Sequence, residues 1–386
     1  MSTAFNFKLA TEIEYGIGVS GRIGSITAER GAKKVFIICD RGVRIAGLLE
    51  PIQQSINEAG IETEVFDEIE QSSSIKAVDK GADIVRAKGY DTIVAIGGGS
   101  ALDSGKAVGV VASGGGACRD YAGSNKVKVP PVPVIAMPTT AGTSADLTDV
   151  AVIADREKHA RLGLRSPLIV PAMAVVDPLL TASMPAHVTA STGMDALSHA
   201  IESYTNTVSG ELTDSLSLQA IKLIGDNLRS AAANGDNIEA RERMTMACVL
   251  IGMTYRNTRL GVLHAITGPF CGYYDIPHGV ANAILLPHVM RFNALGNLEK
   301  FVRITEALGV QKKGMSRRDA AFRSADLVQE FLGDLGLPES FRDMKLDTSL
   351  LPRIASEALK SGNISVNPRK VTDEDILSIC EKALGE

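Results

Sequence analysis

The chain has no tryptophan, and only 4% of its 386 residues are aromatic. Stacking surfaces for sugars or single-stranded nucleic acid depend on aromatic side chains, so no such surface is expected. Basic residues are not in excess either, since 40 Lys and Arg stand against 45 Asp and Glu and the net charge is −5. This balance does not favour a nucleic-acid partner, because the phosphate backbone requires a basic face.

Long apolar runs and paired cysteines are also missing. No stretch reaches the roughly 18 uninterrupted apolar residues of a transmembrane helix, and the N-terminus lacks a basic segment followed by an apolar one. The five cysteines are an odd number without paired spacing, which favours reduced, mostly buried thiols over a disulfide framework. These observations predict a cytoplasmic protein without a membrane partner.

The length of 386 residues exceeds what one hydrophobic core usually holds, so we expect two domains. In the first half, β-branched runs alternate with stretches of helical periodicity. Continuous apolar strands in this alternation predict an α/β domain with a parallel sheet and helices on both faces. The predicted strands cover residues 33–40, 61–69, 91–99 and 131–140.

The second half shows helical periodicity from about Pro185 to the C-terminus and no convincing strand. We therefore predict an α/β domain over residues 1–183 and an all-helical domain over residues 184–386. Ligands bind at the carboxyl ends of parallel strands, and pockets often lie between domains. The active site is thus expected in a cleft between the two domains.

Histidine is scarce, with six in the chain, yet three of them join one aspartate in apolar segments of the second half. Asp195 and His199 are four residues apart, which places both side chains on one face of a helix. His264 and His278 are separated by glycine and proline, so we expect them on different elements that converge. One carboxylate and three imidazoles suit Fe(II) or Zn(II), whereas closed structural zinc sites favour cysteine.

The remaining histidines receive ordinary structural interpretations. His288 has apolar neighbours and is expected to be a packed core histidine and not a fifth ligand. His159 and His187 lie in polar or loop-like segments and are expected to face solvent.

Two glycine motifs compete for the diphosphate of a dinucleotide. Gly16–Gly21 matches G-x-G-x-x-G, but the residues before it alternate between polar and apolar, which suits a half-exposed edge strand or a hairpin. Gly97-Gly98-Gly99-Ser100 directly follows an apolar strand and opens a helix, where backbone N–H groups can face an anion. The structural alternative for the second motif is a tight turn with Ser100 as the N-cap.

A third loop, residues 138–146, follows another strand and is rich in hydroxyl groups. Two such loops at the same edge of one sheet favour a dinucleotide crevice over simple capped turns. Asp40 ends the strand 33–40, where a carboxylate can accept hydrogen bonds from the adenosine ribose and repel a 2′-phosphate. This position favours NAD over NADP, the alternative being an Asx turn with Arg41 and Gly42.

Five segments of the chain form a pattern that is specific in order and spacing: GGGSALDSGKA, PTTAGTSAD, GMDALSHAIE, LGVLHAITGP and IPHGVANAILLPHV. Over essentially its whole length the chain resembles the iron-containing (group III) alcohol dehydrogenases. The resemblance implies a dehydroquinate synthase-like architecture. It also implies a metal-dependent alcohol dehydrogenase or aldehyde reductase that exchanges hydride between NAD and a small alcohol or diol. A homodimer or higher homo-oligomer is expected.

The resemblance implies roles for individual residues as well. The metal would be held by Asp195, His199, His264 and His278. The diphosphate would be held by Gly97, Gly98, Gly99 and Ser100. The rest of the cofactor would be lined by Asp103, Thr139, Thr140 and Thr143, with Asp40 selecting NAD.

Three positions depart from the family pattern. Many members carry a second histidine four residues after the ligand that corresponds to His264, and this chain has Gly268 there. Proton release is therefore expected through water or the cofactor ribose. Arg161 stands where a cofactor-proximal lysine is common, which keeps the charge but presents a planar guanidinium. The segment 144–146 reads Ser-Ala-Asp in place of the usual Gly-Ser-Glu.

Two other functions remain as alternatives. A dehydroquinate synthase-like lyase would need a basic cluster for its phosphate, and the metal-bearing segments offer few basic residues beyond Arg256 and Arg259. A nucleotide-binding regulatory protein without turnover is supported only by the missing histidine at Gly268. Both alternatives would differ from a dehydrogenase in failing to reduce NAD with alcohols.

Overall fold

The structure is a computed structural model that describes residues 6–69, 73–157 and 160–385. The chain packs as two compact units, Leu9–Met184 and Pro185–Glu386, and residues 6–8 belong with the second unit. Lys8 N–H donates to Asn257 Oδ1, and Asn257 Nδ2 donates to the Lys8 carbonyl. The α/β unit therefore begins at Leu9, whereas sequence analysis placed its start at residue 1.

Nine strands lie in the described residues of the first unit. They are β1 (Glu12–Tyr15), β2 (Lys34–Asp40), β3 (Glu62–Ile69), β4 (Thr92–Gly97), β5 (Gly123–Ser124), β6 (Val134–Pro138), β7 (Val150–Asp155), β8 (Ala160–Arg165) and β9 (Met173–Val176). Five helices accompany them: α1 (Ile23–Glu29), α2 (Arg41–Ile45), α3 (Leu49–Glu58), α4 (Ile75–Lys88) and α5 (Gly99–Gly114).

Six of these strands form a parallel sheet in the order β1-β9-β6-β4-β2-β3. The four strands predicted from apolar runs are β2, β3, β4 and β6, and their positions are confirmed. The segment before the first glycine motif is the edge strand β1, as its alternating pattern predicted. Strand β9 was not predicted, because it has only four residues. The antiparallel pair β7–β8 was not predicted either; together with β5 it forms a separate small sheet.

Each face of the main sheet packs against helices, which confirms the predicted α/β architecture. Alternate residues of a strand point to opposite faces. Phe36 and Ile38 of β2 pack in one cluster with Val78 of α4 and Val108 of α5. Val35 and Ile37 of the same strand belong to the opposite cluster, together with residues of α1 and α3. The carboxyl ends of the strands are left for the loops that follow them.

Helix α4 shows how the sequence determines its helices. Ser74 is the N-cap, and its side chain accepts a hydrogen bond from the Ala77 N–H. Val78, Ala82 and Val85 follow at helical spacing and are all buried. One face of the helix is therefore apolar and faces the sheet.

The second unit contains only helices among its described residues, as predicted. They are α6 (Ala186–Thr205), α7 (Glu211–Ala233), α8 (Ile238–Thr258), α9 (Val262–Tyr274), α10 (His278–Ala294), α11 (Leu298–Ala307), α12 (Arg317–Asp334), α13 (Leu351–Ala358) and α14 (Asp373–Leu384). Helix α6 is buried on all sides from Gly193 to Thr205 and packs against α7, α8 and α10. Polar side chains on this helix must therefore find partners inside the unit.

Two expectations from composition can be compared with the structure. Across the described ranges, no helix combines the length and apolar character needed to cross a membrane. All five cysteines are buried, as predicted, and none of them is part of a disulfide in the structure.

Candidate functional site

Helix α6 places three polar side chains on one buried face. Asp195, His199 and Glu202 follow one another at intervals of four and three residues, the spacing at which side chains share a face. All three are nearly inaccessible, at 3%, 5% and 3% exposure. His199 Nδ1 lies 3.6 Å from Asp195 Oδ1 and 2.9 Å from the Asp195 carbonyl oxygen. One turn of α6 thus offers a carboxylate and an imidazole together, as predicted.

Helices α9 and α10 bring two further imidazoles to the same carboxylate. His264 Nε2 and His278 Nε2 each lie 3.9 Å from Asp195 Oδ1. The rings of His264 and His199 are 4.2 Å apart between centroids. His278 is the first residue of α10, and a Cβ on the next residue, Gly279, would lie 2.6 Å from the Ser191 carbonyl oxygen of α6. Glycine is required there because the start of α10 touches the α6 backbone.

The donor set fits a divalent cation. Ligand atoms of Asp195, His199 and His264 lie within 4.8 Å of one another. His264 Nδ1–H donates to Glu202 Oε2 at 2.7 Å, and His199 Nδ1–H donates to the Asp195 carbonyl. In both rings the Nε2 lone pair is therefore available to a cation. The side chain of His278 is 28% exposed, so the cluster is open on that side.

Electrostatics prepare the cluster for a cation. Burial raises the pKa of Asp195, but the neighbouring histidines and the Asn282 amide outweigh it, and the net pKa lies below the usual value. Burial, reinforced by His264, lowers the pKa of His199. The site thus combines an ionised carboxylate with a neutral imidazole, which are the protonation states that metal ligands require.

The surroundings of the cluster bear on the other histidine predictions. His288 is half-buried, and burial lowers its pKa to about 4, which agrees with a neutral packed histidine. His187 is exposed as predicted, whereas His159 lies outside the described residues. Gly268, one turn after His264, has open space around it, since an added Cβ would meet no heavy atom within 4 Å.

The second group of predicted residues lies at the carboxyl edge of the main sheet. Gly97 ends β4, and its carbonyl accepts a hydrogen bond from the Thr139 N–H in the loop after β6. A Cβ on Gly98 would lie 3.3 Å from Thr140 Cγ2, and one on Gly99 would lie 3.0 Å from Thr143 Oγ1. The glycine-rich loop and the threonine-rich loop are therefore direct neighbours. Helix α5 begins at Gly99 with Gly98 as N-cap, so Ser100 is a helical residue and not the cap.

Asp40 also lies at this edge and has two roles. Its Oδ1 accepts a hydrogen bond from the Val43 N–H and caps helix α2. A Cβ on Gly97 would lie 3.1 Å from the other oxygen, Oδ2. One oxygen thus caps the helix that begins at Arg41, so the local bond runs to Val43 and not to Gly42 as in an Asx turn, while the second oxygen faces the glycine-rich loop.

The first glycine motif is occupied by a protein carboxylate. Asp177, which follows β9 and is fully buried, accepts hydrogen bonds from the Gly18 and Ser20 N–H groups at 3.0 Å each. The Ser20 hydroxyl donates to the same side chain at 2.6 Å. Gly18 has a φ of 79°, which favours glycine. The donors that a diphosphate would need are already used, which supports a structural role for this loop.

Two further predicted cofactor residues have partners in the structure. Asp103 Oδ2 accepts a hydrogen bond from the Val152 N–H, and its Oδ1 lies 2.7 Å from Lys106 Nζ. Arg161 lies on β8 opposite Ala154, in the small sheet. Asp103 is therefore tied to β7 and to Lys106 of its own helix, and Arg161 is part of the β7–β8 pair.

Four residues with clear roles were missed by sequence analysis. Buried Lys106 donates to the Ala145 carbonyl at 2.9 Å and to the Val150 carbonyl, so it holds the end of the threonine-rich loop. Asp177 could not be found, because its partners lie more than a hundred residues away. Glu202 and Asn282 could have been found, since Glu202 shares the face of Asp195 and Asn282 follows His278 by four residues.

Known proteins resemble both units. Sequence models described as "Iron-containing alcohol dehydrogenase" and "Fe-containing alcohol dehydrogenase family, C-terminal" match residues 10–178 and 189–384. The 1,3-propanediol dehydrogenase of Klebsiella pneumoniae is 39% identical over 93% of this chain and 94% of its own length. The NAD-dependent methanol dehydrogenase of Bacillus methanolicus is 37% identical over 98% of this chain and all of its own length. A solved 1,3-propanediol oxidoreductase structure has a TM-score of 0.95 at 38% identity, with 99% of this chain and 100% of that chain covered.

Proposed function

The chain belongs to the iron-containing alcohol dehydrogenase family, and from this premise we propose that it interconverts short alcohols or diols and their aldehydes. The family assignment makes it an oxidoreductase that acts on CH–OH groups with NAD and a divalent metal. The observation that carries the proposal is the buried cluster of one carboxylate and three imidazoles.

We assign the metal to Asp195, His199, His264 and His278. When bound, the divalent cation supplies Lewis-acid polarisation of the substrate oxygen. The four side chains fix its position, and the Glu202 carboxylate holds His264 in the tautomer whose Nε2 faces the cluster. Iron or zinc is consistent with this donor set.

We assign NAD to the carboxyl edge of the main sheet. Gly97, Gly98, Gly99 and Ser100 are proposed to bind the diphosphate at the start of α5, where backbone N–H groups and the helix dipole favour an anion. Thr139, Thr140 and Thr143 are proposed to line the cofactor, because they neighbour this loop. Asp40 Oδ2 is proposed to select NAD over NADP. Asp103 and Arg161 are also proposed cofactor residues; Asp103 contacts Val152 of the small sheet and Lys106 of α5, and Arg161 lies on β8.

The proton of the alcohol needs an exit. In this chain no side chain follows His264 by one turn, since that residue is Gly268. The open space around Gly268 leaves room for water at this point of the cluster. We therefore propose that the proton leaves through water or the cofactor ribose and not through an imidazole.

Substrate size is proposed from the relatives, which are named for methanol and for 1,3-propanediol. The test is the rate of NADH formation with methanol, ethanol, propan-1-ol, 1,2-propanediol and 1,3-propanediol, after loading with Fe(II) and with Zn(II). We expect turnover with at least one of these alcohols and faster turnover with NAD than with NADP. No NADH formation with any alcohol in metal-loaded protein would overturn the proposal and favour the regulatory alternative.

The lyase alternative has little support in the structure. Of the two arginines that could have formed a phosphate site, Arg259 donates to the Gly362 carbonyl at 3.3 Å. A homo-oligomer and a cytoplasmic location also remain proposals, the second supported by five buried cysteines outside any disulfide. Light scattering of the purified protein tests the first.

A further inference from the structure

Asn282 lies one helical turn after His278 on α10 and is fully buried. Its Nδ2 lies 2.6 Å from Asp195 Oδ1, 3.1 Å from His278 Nε2 and 3.2 Å from His264 Nε2. These three acceptors are atoms of the proposed metal ligands. The two N–H groups of the amide are therefore shared among three acceptors, and they point at the same lone pairs that a cation would use.

The other end of this amide is the Oδ1 atom. Among the described residues, none forms a hydrogen bond with Asn282 Oδ1, although the atom is buried. A buried acceptor without a partner is unfavourable, and buried amides are usually paired at both ends. Asn293 on the same helix illustrates the usual case, because it exchanges hydrogen bonds in both directions with Asn367. Within the described part of the chain, Asn282 therefore forms hydrogen bonds at its Nδ2 end, toward the ligand cluster, and not at Oδ1.

We propose that Asn282 is a positioning residue of the metal centre, whose amide holds Asp195, His264 and His278 together until a cation takes over their lone pairs. This inference rests on the metal site proposed above. Without a cation, the buried Asp195 carboxylate needs a donor, and Asn282 Nδ2 supplies it. With a cation, the same lone pairs bind the metal, and the amide gives up these bonds.

The proposal predicts opposite effects on stability and on metal affinity. Because the amide stabilises the metal-free protein more than the loaded protein, its removal should destabilise the metal-free protein selectively. For the same reason, the variant without the amide should bind metal with higher apparent affinity than wild type, since it loses fewer hydrogen bonds when the metal binds. The net contribution of a typical hydrogen bond corresponds to a change of roughly threefold to tenfold.

The test compares wild type, Asn282→Leu and the matched control Asn293→Leu, all as full-length protein. Melting temperatures are measured after metal removal and after Zn(II) loading, and the Zn(II) dissociation constant is measured by competition with a chromophoric chelator. We expect Asn282→Leu to lower the melting temperature of the metal-free protein by several degrees and that of the Zn(II)-loaded protein by much less. The Zn(II) dissociation constant of Asn282→Leu should be threefold to tenfold lower than that of wild type. Asn293→Leu should lower both melting temperatures alike and leave the dissociation constant unchanged.

Equal destabilisation of both forms of Asn282→Leu, with an unchanged dissociation constant, would overturn the proposal. A dissociation constant raised tenfold or more would also overturn it, because the loaded site would then need the amide. If Asn282→Leu does not fold without metal, Asn282→Ala is measured in the same way. Wild type that binds no Zn(II) would refute the proposed metal site itself, whereas the two results above would refute only the role given to Asn282.

Discussion

Replacing Glu202 with glutamine tests how the protein positions a metal ligand. Glu202 is nearly inaccessible and accepts two hydrogen bonds, from His264 Nδ1–H at 2.7 Å and from the Leu263 N–H at 2.8 Å. Glutamine has a similar volume, but its amide offers only one acceptor oxygen. One of the two donors must then face an NH2 group. The substitution also removes the negative charge that lies beside His264 Nδ1.

The loss of such a partner typically costs tenfold to a hundredfold in metal affinity. This corresponds to about 1.4–2.7 kcal/mol. The assay is the Zn(II) dissociation constant of Glu202→Gln, measured by chelator competition, together with a circular dichroism spectrum that confirms the fold. Glu357→Gln is the control, because Glu357 accepts a hydrogen bond from Tyr273 at 2.6 Å and has no described contact with the proposed ligands. An unchanged dissociation constant in a folded Glu202→Gln variant would refute the assigned role of Glu202.

Three further predictions concern the first unit. Asp40→Asn keeps the acceptor for the Val43 N–H but removes the negative charge. The kcat/KM for NAD divided by the kcat/KM for NADP should therefore fall tenfold or more. An unchanged value would contradict the proposed role of Asp40 in selecting NAD. Gly98→Ala should raise the NAD dissociation constant about tenfold, because the added Cβ would narrow the proposed diphosphate loop. Gly18→Ala should lower the free energy of unfolding by about 1 kcal/mol, because Gly18 has a positive φ, and should leave NAD binding intact. Titrations with the opposite result would assign the diphosphate to the first glycine motif. Burial raises the pKa of Asp146 to about 6, above its value in the unfolded chain, so the native state binds this proton more tightly. The contribution of Asp146 to stability should therefore fall by roughly 3 kcal/mol as the pH rises from about 4 through 6. In urea unfolding, the pH dependence of the unfolding free energy should differ by this amount between wild type and Asp146→Asn, and the same pH dependence in both would show that Asp146 does not contribute.

Local patterns were sufficient to predict much of this molecule. The apolar runs of β2, β3, β4 and β6 identified the centre of the sheet, because buried parallel strands have continuous apolar sequences. Helical spacing alone placed Asp195 and His199 on one face of α6. Strand β9 escaped detection, because four apolar residues before a proline do not distinguish a strand from a loop.

The residues that hold the sites in place depend on tertiary contacts. Asp177 closes the first glycine motif from the far end of the first unit, and no local pattern indicates this pairing. Lys106 is buried by the loop it binds, although lysine in a helix ordinarily faces solvent. Asn282 needed only its spacing from His278, and the same rule that identified His199 from Asp195 applies to it.

The central claim is that alcohol oxidation by this chain depends on a cation held by Asp195, His199, His264 and His278. The most direct measurement is alcohol-dependent NADH formation before metal removal with a chelator, after removal, and after titration with Fe(II) or Zn(II), in wild type and in His264→Ala. Wild type should lose activity on removal and regain it at about one metal per chain, whereas His264→Ala should bind well below one metal and stay inactive while folded. Full turnover in metal-stripped wild type, or restored activity in His264→Ala at one metal per chain, would contradict the account.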